Sequence, residues 1–259
     1  MPSCAGPGSI MDLEIFTLRE RPDLRPLVFA SELQSVWPEF MRHSAAAELY
    51  FATPMFDGYL DYAFAGVADG KVVARAFCVP FAFNTAGRAE LPDGGWDQVI
   101  RWAHDDRMTG RAANTLSALE ISLLPEARGG GNSLALLGAM KACAKAKGFA
   151  EVFAPVRPNQ KHLQPRMPMR DYVETLGPDG LPIDSWLGSH LRAGGKVIKI
   201  APCSMTIVGR LADWSRWTGM PFDRSGELLV AGALSPVMVS REQDCAVYIE
   251  PNVWVRHPV

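Results

Sequence analysis

The run Leu123-Leu124-Pro125-Glu126-Ala127-Arg128-Gly129-Gly130-Gly131-Asn132-Ser133 carries the strongest chemical signal in the chain. Consecutive glycines let backbone amides come close to a ligand. A helix starting just after them adds the positive end of its dipole, so the turn can cradle a pyrophosphate. It is not a P-loop, because no Gly-Lys-Ser/Thr follows, and it departs from the dinucleotide fingerprint because Leu134 stands where the third glycine belongs. The same glycines also suit a tight strand-to-helix turn with no ligand. Just upstream, Glu120 is an acid in an otherwise apolar Ala118-Leu119-Glu120-Ile121 stretch. Burial of a carboxylate there would make it hold a proton more tightly, which suits a general base. The alternation of strand faces also allows the opposite orientation, with Glu120 a structural partner of an arginine or a backbone amide.

These residues need elements to position them. Ala118 to Leu124 reads as a strand, Ser133 to Lys147 as a helix closed by Gly148, and Glu151 to Pro155 as a short buried strand; strand, helix, strand implies parallel pairing. Ahead of them, Leu13 to Leu18 alternates like a strand, and an N-capped helix is expected from Ser31 through Leu33, Val36, Trp37 and Phe40. A second helix covers Ala45 to Phe51. Tyr62 to Ala68, the Asp69-Gly70 turn and Val72 to Phe83 form a β-hairpin, and Trp96 to Asp105 a helix. Pro155 to Pro182 is Pro-rich and basic and reads as a long loop, functional or mobile. Asp184 to Ala193 is a short helix, followed by candidate strands Val197 to Ile200, Leu228 to Val230 and Ala246 to Glu250. The fold class is therefore α/β or α+β, in a single domain over residues 11–259 behind a Pro-, Gly- and Ser-rich tail, residues 1–10, expected to be disordered.

Composition narrows the function. Of 259 residues, 48% are hydrophobic and 21% charged, and 26 basic against 28 acidic residues leave a net charge of −2, which argues against nucleic-acid binding. No apolar run is long enough to span a membrane and no signal-peptide pattern opens the chain, so a cytoplasmic location is expected. Cys4, Cys78, Cys143, Cys203 and Cys245 lack metal-site or disulfide spacing and read as reduced core thiols, with no metal expected.

Strand-Pro-Glu-x-Arg-Gly-x-Gly leading into a helix resembles motif A of the Gcn5-related N-acetyltransferases, the GNAT superfamily. Arg128, Gly131 and Ser133 fall on its Arg/Gln-x-x-Gly-x-Gly/Ala pattern, with Ser133 departing from Gly/Ala. The resemblance implies a GNAT-like mixed central sheet flanked by helices. It further implies that amides of Arg128, Gly129, Gly130, Gly131, Asn132 and Ser133 bind the pyrophosphate of acetyl-CoA, that the Leu123 and Leu124 backbone meets the pantetheine arm, and that one amide polarises the thioester carbonyl. The implied activity is transfer of an acetyl group from acetyl-CoA, or another acyl-CoA, to an amine of a small molecule by direct attack. Glu120 would act on the amine proton. His190-Leu191-Arg192-Ala193-Gly194 reproduces the spacing of the family's Tyr-x-x-x-Gly, so His190 stands in the slot of a tyrosine that often protonates the leaving thiolate. The helix end would keep that imidazole charged near pH 7. A histidine packed at a helix end fits equally well.

Arg166-Met167-Pro168, Tyr172, Asp184, Leu187 and Gly194 more faintly resemble an acetyltransferase-like domain fused to some carbon-nitrogen hydrolases. After Val208 the chain is longer than in a minimal family member, so loop insertions are expected in the C-terminal half, with Trp214, Trp217 and Phe222 either walling an acceptor pocket or packing in the core. The basic residues from Arg157 to Arg170 would meet the cofactor's 3′-phosphate, an acidic acceptor, an acyl carrier protein or only solvent. The expected partners are the CoA thioester and a small-molecule acceptor, with a homodimer left open. A non-catalytic acyl-CoA-binding or sensor domain is the alternative function, favoured by the missing tyrosine.

Overall fold

The computed structural model describes residues 12–259, so the tail predicted over residues 1–10 lies outside the described residues. In chain order the elements begin with β1 (Glu14–Thr17), α1 (Arg25–Val28), α2 (Ser31–Gln34), α3 (Ala45–Phe51) and α4 (Thr53–Phe56). The hairpin β2 (Ala63–Ala68) and β3 (Lys71–Phe81) follows, then α5 (Gly95–Thr109), β4 (Thr115–Leu123), α6 (Asn132–Ala146) and β5 (Glu151–Val156). The C-terminal part holds α7 (Met169–Glu174), α8 (Ser185–Arg192), β6 (Lys196–Gly209), α9 (Leu211–Thr218), β7 (Gly226–Leu228), β8 (Val237–Ser240) and β9 (Cys245–Pro258).

The strands form one sheet in the order β1-β2-β3-β4-β5-β9-β8-β7, with β6 also paired to β9. Only β4 and β5 run parallel, as their α6 crossover requires; the other pairs are antiparallel. Period-two alternation along the strands feeds both faces of the sheet. Phe77, Val79 and Phe81 of β3 pack with Val99 and Ile100 of α5 and Trp214 of α9. Ala74, Ala76 and Cys78 of the same strand pack on the other face with Leu136, Leu137 and Met140 of α6 and Leu187 of α8. The result is the expected mixed sheet with helices on both sides.

Several expectations need correction. The helix from Ser31 to Phe40 is only one turn, α2, because Pro38 interrupts it; a 3-10 turn at Glu39–His43 follows, and Ala30 rather than Ser31 is the N-cap. The basic Pro-rich loop is an ordered layer. It contains α7 and a 3-10 turn at Lys161–Leu163, and Lys161 is 1% exposed, donating to the carbonyls of Gln164 (2.7 Å) and Leu234 (2.8 Å). The final strands are far longer than read: β6 and β9 each run 14 residues, because each is the other's partner. Among the described cysteines, only Cys78 is buried; Cys143 and Cys245 are half-buried and Cys203 is exposed, while Cys4 lies outside the described residues.

Candidate active site

The site begins where the two parallel strands part. β4 and β5 are paired only at Leu116–Val152 and Ser117–Phe153, yet β4 runs on to Leu123 and β5 to Val156. Opposite β3, Glu120 faces Phe77 and Ala118 faces Cys78, which leaves Leu119 as a bulge residue on β4. Beyond the last pair the strands open onto a cavity of about 1470 Å³ lined by Ala118 to Leu123 on one side and Ala154 to Arg157 on the other. A splayed parallel pair leaves strand-edge amides and carbonyls facing the gap, where an extended ligand can complete the ladder.

At the end of β4 the chain enters the glycine run. Gly129, Gly130 and Gly131 have φ of +86°, +60° and +86°, a left-handed stretch that side chains resist. A Cβ at any of the three would meet nothing within 4 Å, so space lies open in front of the loop. The amides of Gly129, Gly130, Gly131, Ser133 and Leu134 donate to no group among the described residues. Gly131 is the N-cap of α6 and offers no side-chain cap, so the helix presents bare N–H groups at its positive end. Arg128, Gly129, Gly131, Ser133 and Leu134 line the cavity. Asn132 turns inward, its Nδ2 donating to the Ala127 carbonyl at 2.9 Å, and so braces the loop from behind. The backbone of Leu124 is engaged in part, its N–H donating to Val73 at 2.9 Å, while the Leu123 carbonyl accepts from Arg128 Nε at 3.3 Å.

Glu120 lines the same cavity, and its carboxylate is asymmetric. Oε1 accepts from Arg75 Nε (2.7 Å), Ser122 Oγ (2.6 Å) and Trp37 Nε1 (3.1 Å). Oε2 accepts no hydrogen bond among the described residues and is not a sealed buried atom. The arginine partner expected of a structural Glu120 is present on one oxygen, and the other oxygen accepts nothing among the described residues. Sequence reasoning missed all three residues that hold Oε1. Arg75 sits across the ladder on β3, where it faces Ser122, and Trp37 arrives from the segment after α2, 83 residues away in sequence.

A second buried pair stands close by. Glu250, 0% exposed, accepts from Arg157 Nε (2.9 Å) and Tyr248 Oη (2.7 Å) through Oε2 and from Asn252 Nδ2 (3.1 Å) through Oε1. The Arg157 guanidinium also lies 5.8 Å from the Trp37 ring centroid, so Trp37 touches both Arg–Glu pairs.

α8 forms another wall, held by Asp184, whose Oδ1 caps the amides of Trp186 and Leu187 while Oδ2 accepts from Tyr172 Oη. His190 lines the cavity, but its chemistry differs from the expectation. It is 2% exposed, with Nδ1 2.8 Å from His257 Nε2 on β9. Burial first, and His257 second, push the imidazole down to about 3, where the helix end was expected to push it up. His257 is likewise lowered to about 4, chiefly by burial. Gly195 allows this close packing, since a Cβ there would meet the His190 carbonyl and His257 Cε1 at 2.6 Å. Trp214, Trp217 and Phe222 do not line the cavity. Trp214 is fully buried with Nε1 donating to the Ala246 carbonyl, and Trp217 stacks on His43 at 4.1 Å, so this cluster is core packing.

The chain is 31% identical to the arginine N-acetyltransferase avaD of Aspergillus versicolor, over 94% of this chain and 93% of that one. The chain belongs to the GNAT superfamily of N-acetyltransferases. No protein-family model matches it. Among solved structures it is similar in fold to the loading GNATL domain of CurA from Lyngbya majuscula (TM-score 0.52, 18% identity, 95% of this chain and 98% of that one). It is also similar to the GphF GNAT-like decarboxylase in complex with isobutyryl-CoA (TM-score 0.56, 17% identity, with the same coverage of each chain). By its relationship to avaD the chain is an N-acetyltransferase, and the non-catalytic alternative is not favoured.

Proposed function

We propose that this acetyltransferase moves the acetyl group of acetyl-CoA onto a nitrogen of arginine or of a small molecule bearing arginine, with Glu120 as general base. The observation that carries this reading is the divided Glu120 carboxylate: three donors fix Oε1, Oε2 accepts no hydrogen bond among the described residues, and Glu120 lines the cavity where β4 and β5 part. Support for the acceptor comes from the relative, which is an arginine N-acetyltransferase along nearly its whole length.

The unpartnered amides of Gly129, Gly130, Gly131, Ser133 and Leu134, with Arg128 beside them, hold the pyrophosphate, and Asn132 keeps the loop in shape. The strand edge from Leu119 to Leu123, continuing to Leu124, meets the pantetheine arm, and an amide of that edge receives the thioester carbonyl. The acceptor nitrogen attacks the carbonyl carbon, its proton passes to Glu120 Oε2 directly or through a water, and the carbon–sulfur bond breaks. The thiolate, with an ordinary thiol pKa of about 8.5, leaves as the anion and takes its proton from solvent. His190 is neutral and lines the wall beside this path; it is not a proton reservoir.

The test is steady-state kinetics with purified protein, acetyl-CoA and arginine, following free thiol and acetylated product. Glu120→Gln is expected to bind CoA normally and to lose about 10²–10⁴-fold in turnover, the usual size of a general-base contribution. Unchanged turnover would return Glu120 to a structural role, and acetylation of other amines but not of arginine would discard the acceptor.

A further inference from the structure

The charges lining the cavity balance almost completely. Glu120 is matched by Arg75 and Glu250 by Arg157. Of the other lining cations, Arg25 is bound to Asp57 (2.6 Å), Arg42 to Glu39 (2.6 Å) and Arg192 to Asp179 (3.6 Å). Two charges are left over. Arg128 meets no carboxylate among the described residues and sits at the loop read above as the pyrophosphate cradle. Glu48 is the other: it lines the cavity from α3, is exposed, and makes no ion pair or side-chain hydrogen bond among the described residues. An unmatched cation beside the glycine loop and an unmatched anion on α3 describe a ligand pair that is anionic in one part and cationic in another.

The surroundings of Glu48 narrow the kind of cation. Phe51, one helical turn further along α3, lines the cavity together with Phe29 and Phe56. Phe29 packs edge-on against Phe51 and Phe56, with ring centroids 5.6 and 5.2 Å apart, and Arg25 already lies over the buried Phe56 ring, so Phe29 and Phe51 are the half-buried rings of a cluster that lines the same cavity as Glu48. A carboxylate beside aromatic faces suits a planar guanidinium, which gives a forked hydrogen bond to the acid and stacks its weakly hydrated face on the rings. An ammonium, compact and strongly hydrated, gains less from such a wall.

We propose that Glu48, with the Phe51 face beside it, is the residue that recognises the acceptor's guanidinium and so selects arginine over uncharged molecules of the same shape. This rests on the arginine reading of the acceptor. The test is titration calorimetry of arginine, and of citrulline as its neutral ureido isostere, into protein saturated with CoA.

Wild type is expected to bind arginine at least about tenfold more tightly than citrulline, the scale of one charge-assisted contact. In Glu48→Gln that preference is expected to collapse through weaker arginine binding alone, with citrulline binding unchanged. Glu48→Asp should restore part of the preference, and Glu174→Gln, the same charge change on an exposed residue that neither lines the cavity nor pairs with a residue that does, should leave it intact. Wild type that binds arginine while Glu48→Gln keeps the full preference overturns this assignment and leaves the acceptor standing. Wild type that binds no arginine overturns both.

Discussion

His190 and His257 show what a buried pair of imidazoles does to its own chemistry. Each is held below the ordinary histidine value of 6.5, His190 to about 3 and His257 to about 4, mainly because burial penalises the charged form. The unfolded chain therefore takes up protons first as the pH falls. Stability from the neutral pair is complete above about pH 6.5 and drains toward pH 4 and then 3, at up to about 1.4 kcal/mol per pH unit for each histidine. Urea unfolding followed from pH 7 down to about pH 5 should show this loss, and His190→Gln, which cannot titrate, should show a shallower slope. Equal slopes would mean that the pair charges in the folded state. The same neutrality predicts that the alkaline limb of the rate profile does not move in His190→Gln.

At the scale of elements, the turn between β4 and α6 combines a strand edge without a neighbour, a left-handed glycine run and an uncapped helix start. Each is a local weakness in an empty protein: unpaired edges invite association, left-handed residues cost conformational entropy, and bare helix ends leave donors unsatisfied. Together they suit a phosphate-bearing ligand laid along one line. Gly131→Glu places a side chain at φ +86° and a negative charge beside those amides. The space there is open, so the protein should remain folded, at a backbone cost of roughly 1–2 kcal/mol, while CoA binding disappears. Retained affinity in the folded variant would move the pyrophosphate elsewhere.

Across the whole molecule the sheet acts as a rigid frame, and the cavity lies where its ladder is interrupted. Both faces of the sheet carry packed cores, so the strands on either side of the gap between β4 and β5 are held by side chains above and below. Among the described residues, no helix is long and apolar enough to cross a membrane. A ligand bridging the gap should stabilise the fold globally: acetyl-CoA at one hundred times its dissociation constant contributes about 2.7 kcal/mol. For a chain of this length that corresponds to a rise in Tm of about 5–10 °C. Hydrogen exchange in the same mixture should show new protection concentrated at residues 118–124 and 128–134. A rise in Tm with evenly spread protection would count against this placement of the cofactor.

Local chemistry made the glycine loop, the hairpin, the crossover helix and the capped α8 legible in the sequence, because each depends on neighbours within a few positions: Asp69-Gly70 for the hairpin turn, Gly129 to Gly131 for the loop, Asp184 for the cap. Glu120 was legible too, since one acid in an apolar strand stands out against the period-two pattern. What surrounds it was not. Arg75, Trp37 and Ser122 converge on one oxygen from three segments, and the Arg157–Glu250 pair joins residues 93 positions apart, which no local signal reports. The length of β6 and β9 was hidden because two long strands stabilise each other by pairing rather than by their own propensity. His190 marks the clearest division. Its place at a helix end was readable from the chain, but its charge was set by burial against His257, a residue delivered by the last strand of the sheet.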